Sequence, residues 1–461
     1  METQKRNLLI YLAVSAISFF IFVSVSGAGV SVPIFVAIQI AGLWYLLPQK
    51  KYILAILPLF IFSLNSLLYA NSMWNVSNFF VAAICYAVMA VWIARGISFR
   101  DTSPAIFVRI ADAIFNALSC FKLPFQWASA AKKESMRMVR RILAGVAISI
   151  PLLVVLVAIL SSADMIFAEM TFDFINELFE LISLHTIWRL ILSALVGLFL
   201  FGILHGILAK NKEAKEFKDT VMNGDTMIIN IVLAAILVIY TLFAIVQFRY
   251  LFAAAYELPY GLNFAAYARR GFFELLFLSF VNIAFIIGTV WLTKAQTGIG
   301  AKISKCLCLY LCAATVLLLV SSFYRMMLYS TDFGLTRLRL LVFGFLIFEA
   351  IGLVFTFFYI IKPKFNIILV YCVIALSYYM VLNLAPIDRV IARNQVDRYF
   401  ASEQSGIAYV LTLSADAAPE VERLLQSSDV RTVVAASQFI NDANQERNWR
   451  QWNFPLRLTK P

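Results

Sequence analysis

Long apolar runs alternate with short polar or basic breaks along the chain, and the runs set its architecture. A helix that crosses a bilayer needs about 20 mostly apolar residues, and about eleven runs meet that length. They lie near 8–26, 30–47, 52–70, 77–94, 142–161, 186–208, 227–248, 272–292, 306–328, 340–361 and 365–384. The pattern predicts an all-α, polytopic transmembrane helical bundle followed by a small, mostly helical soluble tail. Four divisions are expected: a four-span region 1–94, a basic amphipathic segment 95–141, a seven-span core 142–385 and a tail 386–461. Lys5 and Arg6 precede the first run and Ser26, Gly27 and Ala28 follow it, as around a secretory signal. The length of the run and the spans behind it predict an anchor instead.

The breaks between runs carry the orientation. One alternate set holds Lys5 and Arg6, Lys50 and Lys51, the segment 95–141, Lys210 to Lys218, Lys294 to Lys305, and Lys362 and Lys364. The other set opens with two uncharged loops and an acidic one bearing Asp164, Glu169, Asp173, Glu177 and Glu180. Basic residues collect in cytoplasmic loops, so the amino terminus is expected inside and the tail outside, at a bacterial cytoplasmic membrane. In 95–141, Ile106, Ile110, Ile114 and Leu118 recur at helical spacing, which predicts a helix lying on the membrane surface.

Composition agrees with these spans. The chain is 62% hydrophobic and 14% charged, against roughly a quarter charged in soluble domains. Its mean hydropathy is +0.85. The net charge of +12 would suggest nucleic acid in a soluble protein, but here it is the basic bias of inner loops, and no nucleic-acid partner is expected. Five of the six cysteines fall within apolar runs, which argues against a disulfide framework. Cys306, Cys308 and Cys312 lack a nearby fourth ligand, so no metal site is expected. P-loop, HExxH and GxSxG patterns are absent, and no cofactor or catalytic residue is assigned.

The candidate chemistry lies in arginines on the outer side, where positive charge is normally avoided. In YARRGFFELL, Arg269 and Arg270 sit at headgroup level, with Glu274 one helical turn beyond Arg270. They read either as an interfacial anchor or as guanidinium forks for phosphate or carboxylate. In FYRMMLYSTDFGLTRLRLL, Arg325 falls at the outer end of a span and Asp332 and Gly334 make a turn. Thr336 is expected to cap the next helix, placing Arg337 and Arg339 in its first turn. Cations there oppose the helix dipole, which suggests a bound anion or an acidic partner. In the tail, Arg389, Arg393 and Asp397 form one charged stripe beside Ile387, Val390 and Ile391. LSADAAPEVERLL reads as a capped amphipathic helix, and Trp449 and Trp452 as interface residues. Inside the spans, Glu349 falls mid-run, where an ionisable group is a functional candidate by default. Asn282 or Asn230 is its expected partner. His185 and His205 read as packing residues.

YARRGFFEL, Tyr329 with GLTRLR, APIDRVIARNQVDRY (Ala385 to Tyr399), LSADAAP and WRQWN together resemble a family of bacterial polytopic inner-membrane proteins of unknown function. The resemblance runs through residues 180–455. It implies that the arginine motifs and the tail recur as one unit, and it implies no reaction. Four functions stay open: binding of an anionic lipid headgroup, envelope polymer or acidic partner at the arginines; transport or export using Glu349; transfer chemistry on a lipid-linked substrate using Asp332, Asp388 or Asp397; and signalling through 95–141. Membrane lipids are expected partners under each of these, and a protein partner is left unassigned.

Overall fold

The structure is a computed structural model that describes residues 2–23, 29–47, 50–70, 73–95, 105–130, 184–208, 224–247, 272–293, 296–401 and 406–444, with scattered positions between 145 and 170. Among the described residues every regular element is helical. The principal helices are α1 (Glu2–Phe22), α2 (Ser31–Leu46), α3 (Leu57–Leu68), α4 (Asn75–Arg95), α5 (Ala105–Ser119) and α6 (Leu123–Ala130). They continue with α7 (Leu184–Leu208), α8 (Thr226–Gln247), α9 (Phe272–Thr293), α10 (Ile299–Phe333), α11 (Arg337–Ile361) and α12 (Ile367–Leu384). The tail carries α13 (Ile387–Phe400), the one-turn helices α14 (Ile407–Val410) and α15 (Ala418–Val421), and α16 (Val430–Ala443).

Eight helices among the described residues are long and apolar enough to cross a membrane: α1, most of α4, and α7 to α12. Two further runs of the sequence fall in shorter helices, Ser31–Leu46 and Ile53–Leu68. The run at 142–161 lies largely outside the described residues. The chain is therefore an all-helical membrane protein.

Contacts divide the chain into two compact units. The first comprises 1–56, 80–95 and 110–212. Here α1 packs along α7, burying Leu8, Tyr11, Phe201 and Leu204. Gln39 of α2 accepts a hydrogen bond from Ser15 at 2.9 Å and donates to Ser18 at 3.3 Å, so these three buried polar side chains serve one another. His205 stacks on Phe201 and lies 5.5 Å from the Trp127 ring, a packing role.

The second unit comprises 57–79, 96–109 and 213–461. Its membrane layer is α8 to α12 around Leu233, Leu237, Ile286, Leu311 and Leu346. With 35 residues, α10 is about 52 Å long at 1.5 Å per residue, against roughly 30 Å of hydrocarbon. The sequence explains its ends: Gly298 and Gly334 flank it at φ +117° and +70°, a region that side-chain-bearing residues rarely adopt. Asp332 lies in its last turn, leaving the reversal of direction to Gly334.

The tail is not built around a core of its own alone. Ile387, Ile391, Val396, Val410, Val421, Leu424 and Ala436 form one cluster with Trp74, against which Leu335, Leu340, Tyr379 and Leu382 also pack. A chain segment this short buries too little apolar surface by itself, and the helix ends of the bundle complete the core. LSADAAPEVERLL does not form one capped helix. It folds as the 3-10 turn Ala415–Ala417, α15 and the 3-10 turn Glu422–Gln426, and the Ser414 hydroxyl bonds carboxylates instead of capping.

Candidate functional site

Two polar constructions stand out in the second unit. The first lies where α13 meets the turn between α10 and α11. Thr336 caps α11, its hydroxyl accepting from the Arg339 N–H, as its position predicts. Arg337 in that first turn has an acidic partner within the chain. Its Nε and Nη2 donate to the two oxygens of Asp388 at 2.7 and 2.6 Å. Asp388 is 1% exposed and also accepts from the Ser414 N–H at 3.1 Å and the Ser414 hydroxyl at 2.6 Å. Burial pushes this carboxyl up, but the bonds from Arg337 and Ser414 outweigh it and hold it below the ordinary carboxylate range.

Neighbouring groups fasten the same joint. Arg339 is buried, donates to the Gly334 carbonyl and stacks 4.1 Å over the Tyr329 ring. Gln395 donates to the carbonyls of Phe333 and Leu335 at 3.2 and 2.9 Å, and Arg398 donates to those of Thr331 and Asp332. The Thr331, Asp332 and Phe333 carbonyls close α10 and that of Leu335 lies in the turn beyond it, so tail side chains satisfy acceptors that the helix end leaves open. Beside them, Asp416 accepts from the Ala70 N–H at 2.8 Å. Asn383 bonds Asn78 at 3.0 Å through its side chain and Asn65 at 2.6 Å through its carbonyl.

The structure thus brings Arg337, Arg339 and the tail together, with the first two engaged inside the protein. Arg325 is 7% exposed and lies two turns inside the end of α10, which continues past the predicted end of that span. Arg389 and Arg393 lie on the exposed face of α13. Arg389 approaches Glu420 at 3.5 Å, and Arg393 has no ion-pair partner among the described residues. Asp397 pairs with Arg423 at 2.8 Å. Asp388 and Asp397 are therefore tied to separate arginines. Val390, expected beside the apolar face, is exposed. Arg269, Arg270, Trp449 and Trp452 lie outside the described residues.

The second construction is inside the membrane layer. Glu349 of α11 is 1% exposed. Its Oε2 accepts from the Ser279 hydroxyl of α9 at 2.6 Å, while Oε1 is buried without a hydrogen-bond partner. The partner is Ser279, one turn before Asn282, and not Asn282 or Asn230 as expected. Asn282 instead accepts from the Tyr240 hydroxyl at 2.7 Å and donates to Thr315 at 3.1 Å. Asn230 bonds Gly300 and Ser304 near the far end of α10. One turn past Glu349, Gly352 leaves space for the Tyr371 ring, within 2.5 Å of where a Cβ would stand. The Tyr371 hydroxyl meets Thr356 at 2.8 Å. Polar groups from α8, α9, α10, α11 and α12 thus occur within about two turns of Glu349 along the bundle.

Sequence patterns alone do not single out Ser279, Tyr240, Thr315 or the amides Asn65, Asn78 and Asn383. The amides carry a usable signal, since each interrupts an apolar run near its end.

A helical bundle with eight candidate spans and a buried carboxyl at mid-helix is the architecture of a polytopic integral membrane protein. Residues 55–424 match the family described as a domain of unknown function (DUF4153), and the chain belongs to that family. The match begins within the early apolar runs, upstream of the motifs that carry the resemblance. No curated protein and no solved structure matches the chain.

Proposed function

We propose that this protein sits in a bacterial cytoplasmic membrane, amino terminus inside and tail outside, and that Glu349 exchanges a proton or small cation during solute movement through the bundle. The observation that carries this reading is the half-satisfied carboxyl. An ionised Glu349 has one hydroxyl donor and no described cation partner, which is costly at membrane depth. A protonated Glu349 carries its hydrogen on Oε2 and donates to the Ser279 oxygen, whose own hydrogen goes to the Leu276 carbonyl at 2.7 Å. The described residues thus accommodate the protonated state better than the ionised one, so release of the proton calls for a transient partner at the carboxylate. Ser279 fixes the carboxyl, and the Tyr240–Asn282–Thr315 chain supplies further polar groups near it along the bundle.

The test uses full-length protein in proteoliposomes containing a trapped pH-sensitive dye. A potassium diffusion potential is imposed with valinomycin, and proton entry is followed. Glu349→Gln should slow entry at least tenfold, as expected for removal of an essential proton-transfer group. Equal rates in the two proteins refute the reading.

Binding of an anionic lipid headgroup, envelope polymer or acidic partner at the outer face is the second reading, supported by the exposed Arg389 and Arg393. Arg337 and Arg339 contribute little to it while they hold the tail. Arg389→Gln with Arg393→Gln should remove any co-purifying anionic lipid, and unchanged lipid content by mass spectrometry sinks this reading.

A further inference from the structure

At the end of the second unit away from the tail, a cavity of about 350 Å³ lies among the ends of α9, α10 and α11. Two lysines of α10, Lys302 and Lys305, stand on its wall. Counting the hydrogen bonds shows what is left to meet a ligand. The Thr293 hydroxyl donates to the Thr289 carbonyl, the Ser304 hydroxyl to Asn230, and the Gln296 amide to the Gly224 carbonyl. Those three donors are used internally. Lys305 spends one N–H on the Ile361 carbonyl at 2.9 Å and keeps two. The Lys302 side chain is exposed and bonds to nothing among the described residues, and Thr297 is exposed beside it. The uncommitted groups are thus mainly donors, two of them cationic, and no carboxylate lines the cavity among the described residues. Asp225, an acid at the same end, is turned to the Met227 N–H. Lys362 and Lys364 are exposed on either side of the lining residue Pro363 and add to the positive potential.

The remaining wall is apolar: Val290, Ala301, Cys308, Ile360 and Pro363. The cavity also sits where the candidate spans Glu274–Thr293 and Arg337–Ile361 stop, and the ends of spanning helices meet the headgroup region. A cationic mouth above an apolar wall at that depth matches an amphiphile with an anionic head. We propose that this cavity binds the phosphate group of an anionic phospholipid, Lys302 and Lys305 holding the phosphate while Val290 and Ile360 meet the glycerol and the first acyl carbons. Basic pockets between helix ends serve this chemistry on anionic leaflets. Free inorganic phosphate shares the headgroup chemistry but does not use the apolar wall.

Native mass spectrometry of the full chain in neutral detergent tests the assignment, with phosphatidylglycerol, phosphatidylcholine or inorganic phosphate added in separate arms. Phosphatidylglycerol should be retained over phosphatidylcholine. Lys302→Gln, which breaks no bond among the described residues, should cut that preference several-fold, and Lys302→Gln with Lys305→Gln roughly tenfold or more. The double Lys→Arg variant should keep the preference. Equal retention of the two lipids overturns the site, as does a phosphatidylglycerol preference unchanged in both Gln variants. Retention of inorganic phosphate without phosphatidylglycerol overturns the lipid assignment and leaves free phosphate as the source. None of these variants touches Glu349, so this outcome is independent of the proton-flux result.

Discussion

Replacing Arg337 with Gln should loosen the tail from the bundle without unfolding the membrane layer. The ion pair joins α13 to the first turn of α11 through two short bonds, and its acid is almost fully buried. Breaking a buried pair by deleting one partner costs about 3–5 kcal/mol. The Arg337 side chain is 30% exposed, and Ser414 keeps two bonds to Asp388, so the expected cost is at the low end, about 3 kcal/mol. At 1.4 kcal/mol per factor of ten, the undocked fraction rises about 100-fold. Hydrogen exchange reads this directly: amides of Ile387–Phe400 should lose about two orders of magnitude of protection, while those of α10 near Leu311 stay unchanged. The pH response gives a second check. Because Asp388 is held below the ordinary carboxylate range, its contribution is complete above that range and is lost as pH falls through the docked value. The native tail should therefore loosen only in strong acid. Without the guanidinium, burial is less opposed and the docked carboxyl rises toward its undocked value, so the further loosening caused by acid should shrink. A change in α13 protection below about threefold, with no weakening of the acid response, would refute the latch.

Two further changes probe the same joint. Gly334→Ala forces a side chain into φ +70° and onto the Gln395 amide. It should cost about 2 kcal/mol or more and lower the thermal midpoint in detergent, and an unchanged midpoint would contradict a tight turn at this position. Asn383→Leu leaves the Asn78 amide without its 3.0 Å acceptor in a part-buried site. About 1–3 kcal/mol of destabilisation is expected, read as a lower midpoint, and a neutral result would argue against this amide network.

The apolar runs make the membrane layer legible because a spanning helix requires nearly unbroken apolar sequence, and eight runs return as helices long enough to span. Ends are harder. Apolar periodicity places the span of α10 near 306–328, but the helix runs from Ile299 to Phe333, since Lys302, Lys305 and Arg325 are good helix formers and nothing before Gly334 stops it. The unusual placement of Arg337 is visible as a cation against the helix dipole. Its answer, Asp388, lies 51 residues on, and no local spacing rule reaches that far. Glu349 stands out by being charged in an apolar run. Ser279 does not, because a lone serine in a span is ordinary.

Rigidity assigns different parts to the helices around Glu349. No glycine or proline occurs between Gly300 and Gly334 in α10, and sharp kinks need such residues or an inserted group. Clamped by the tail at one end and carrying Thr315 of the polar layer at its middle, α10 serves as the fixed post of the bundle. The interface of α11 with α12 is built differently. Gly344 and Gly352 leave notches on α11 into which Tyr378 and Tyr371 fit, and Glu349 lies in sequence between them. Ring-in-notch packing lets the backbones approach closely, and the contact is interlocked: Phe348 packs on both rings, the Tyr371 hydroxyl meets Thr356 and the Tyr378 hydroxyl donates to the Leu341 carbonyl. On the proton-exchange reading, α11 and α12 therefore hold the Glu349 backbone fixed, and α10 holds Asn282 in place through Thr315, so the exchange falls to the carboxyl side chain itself.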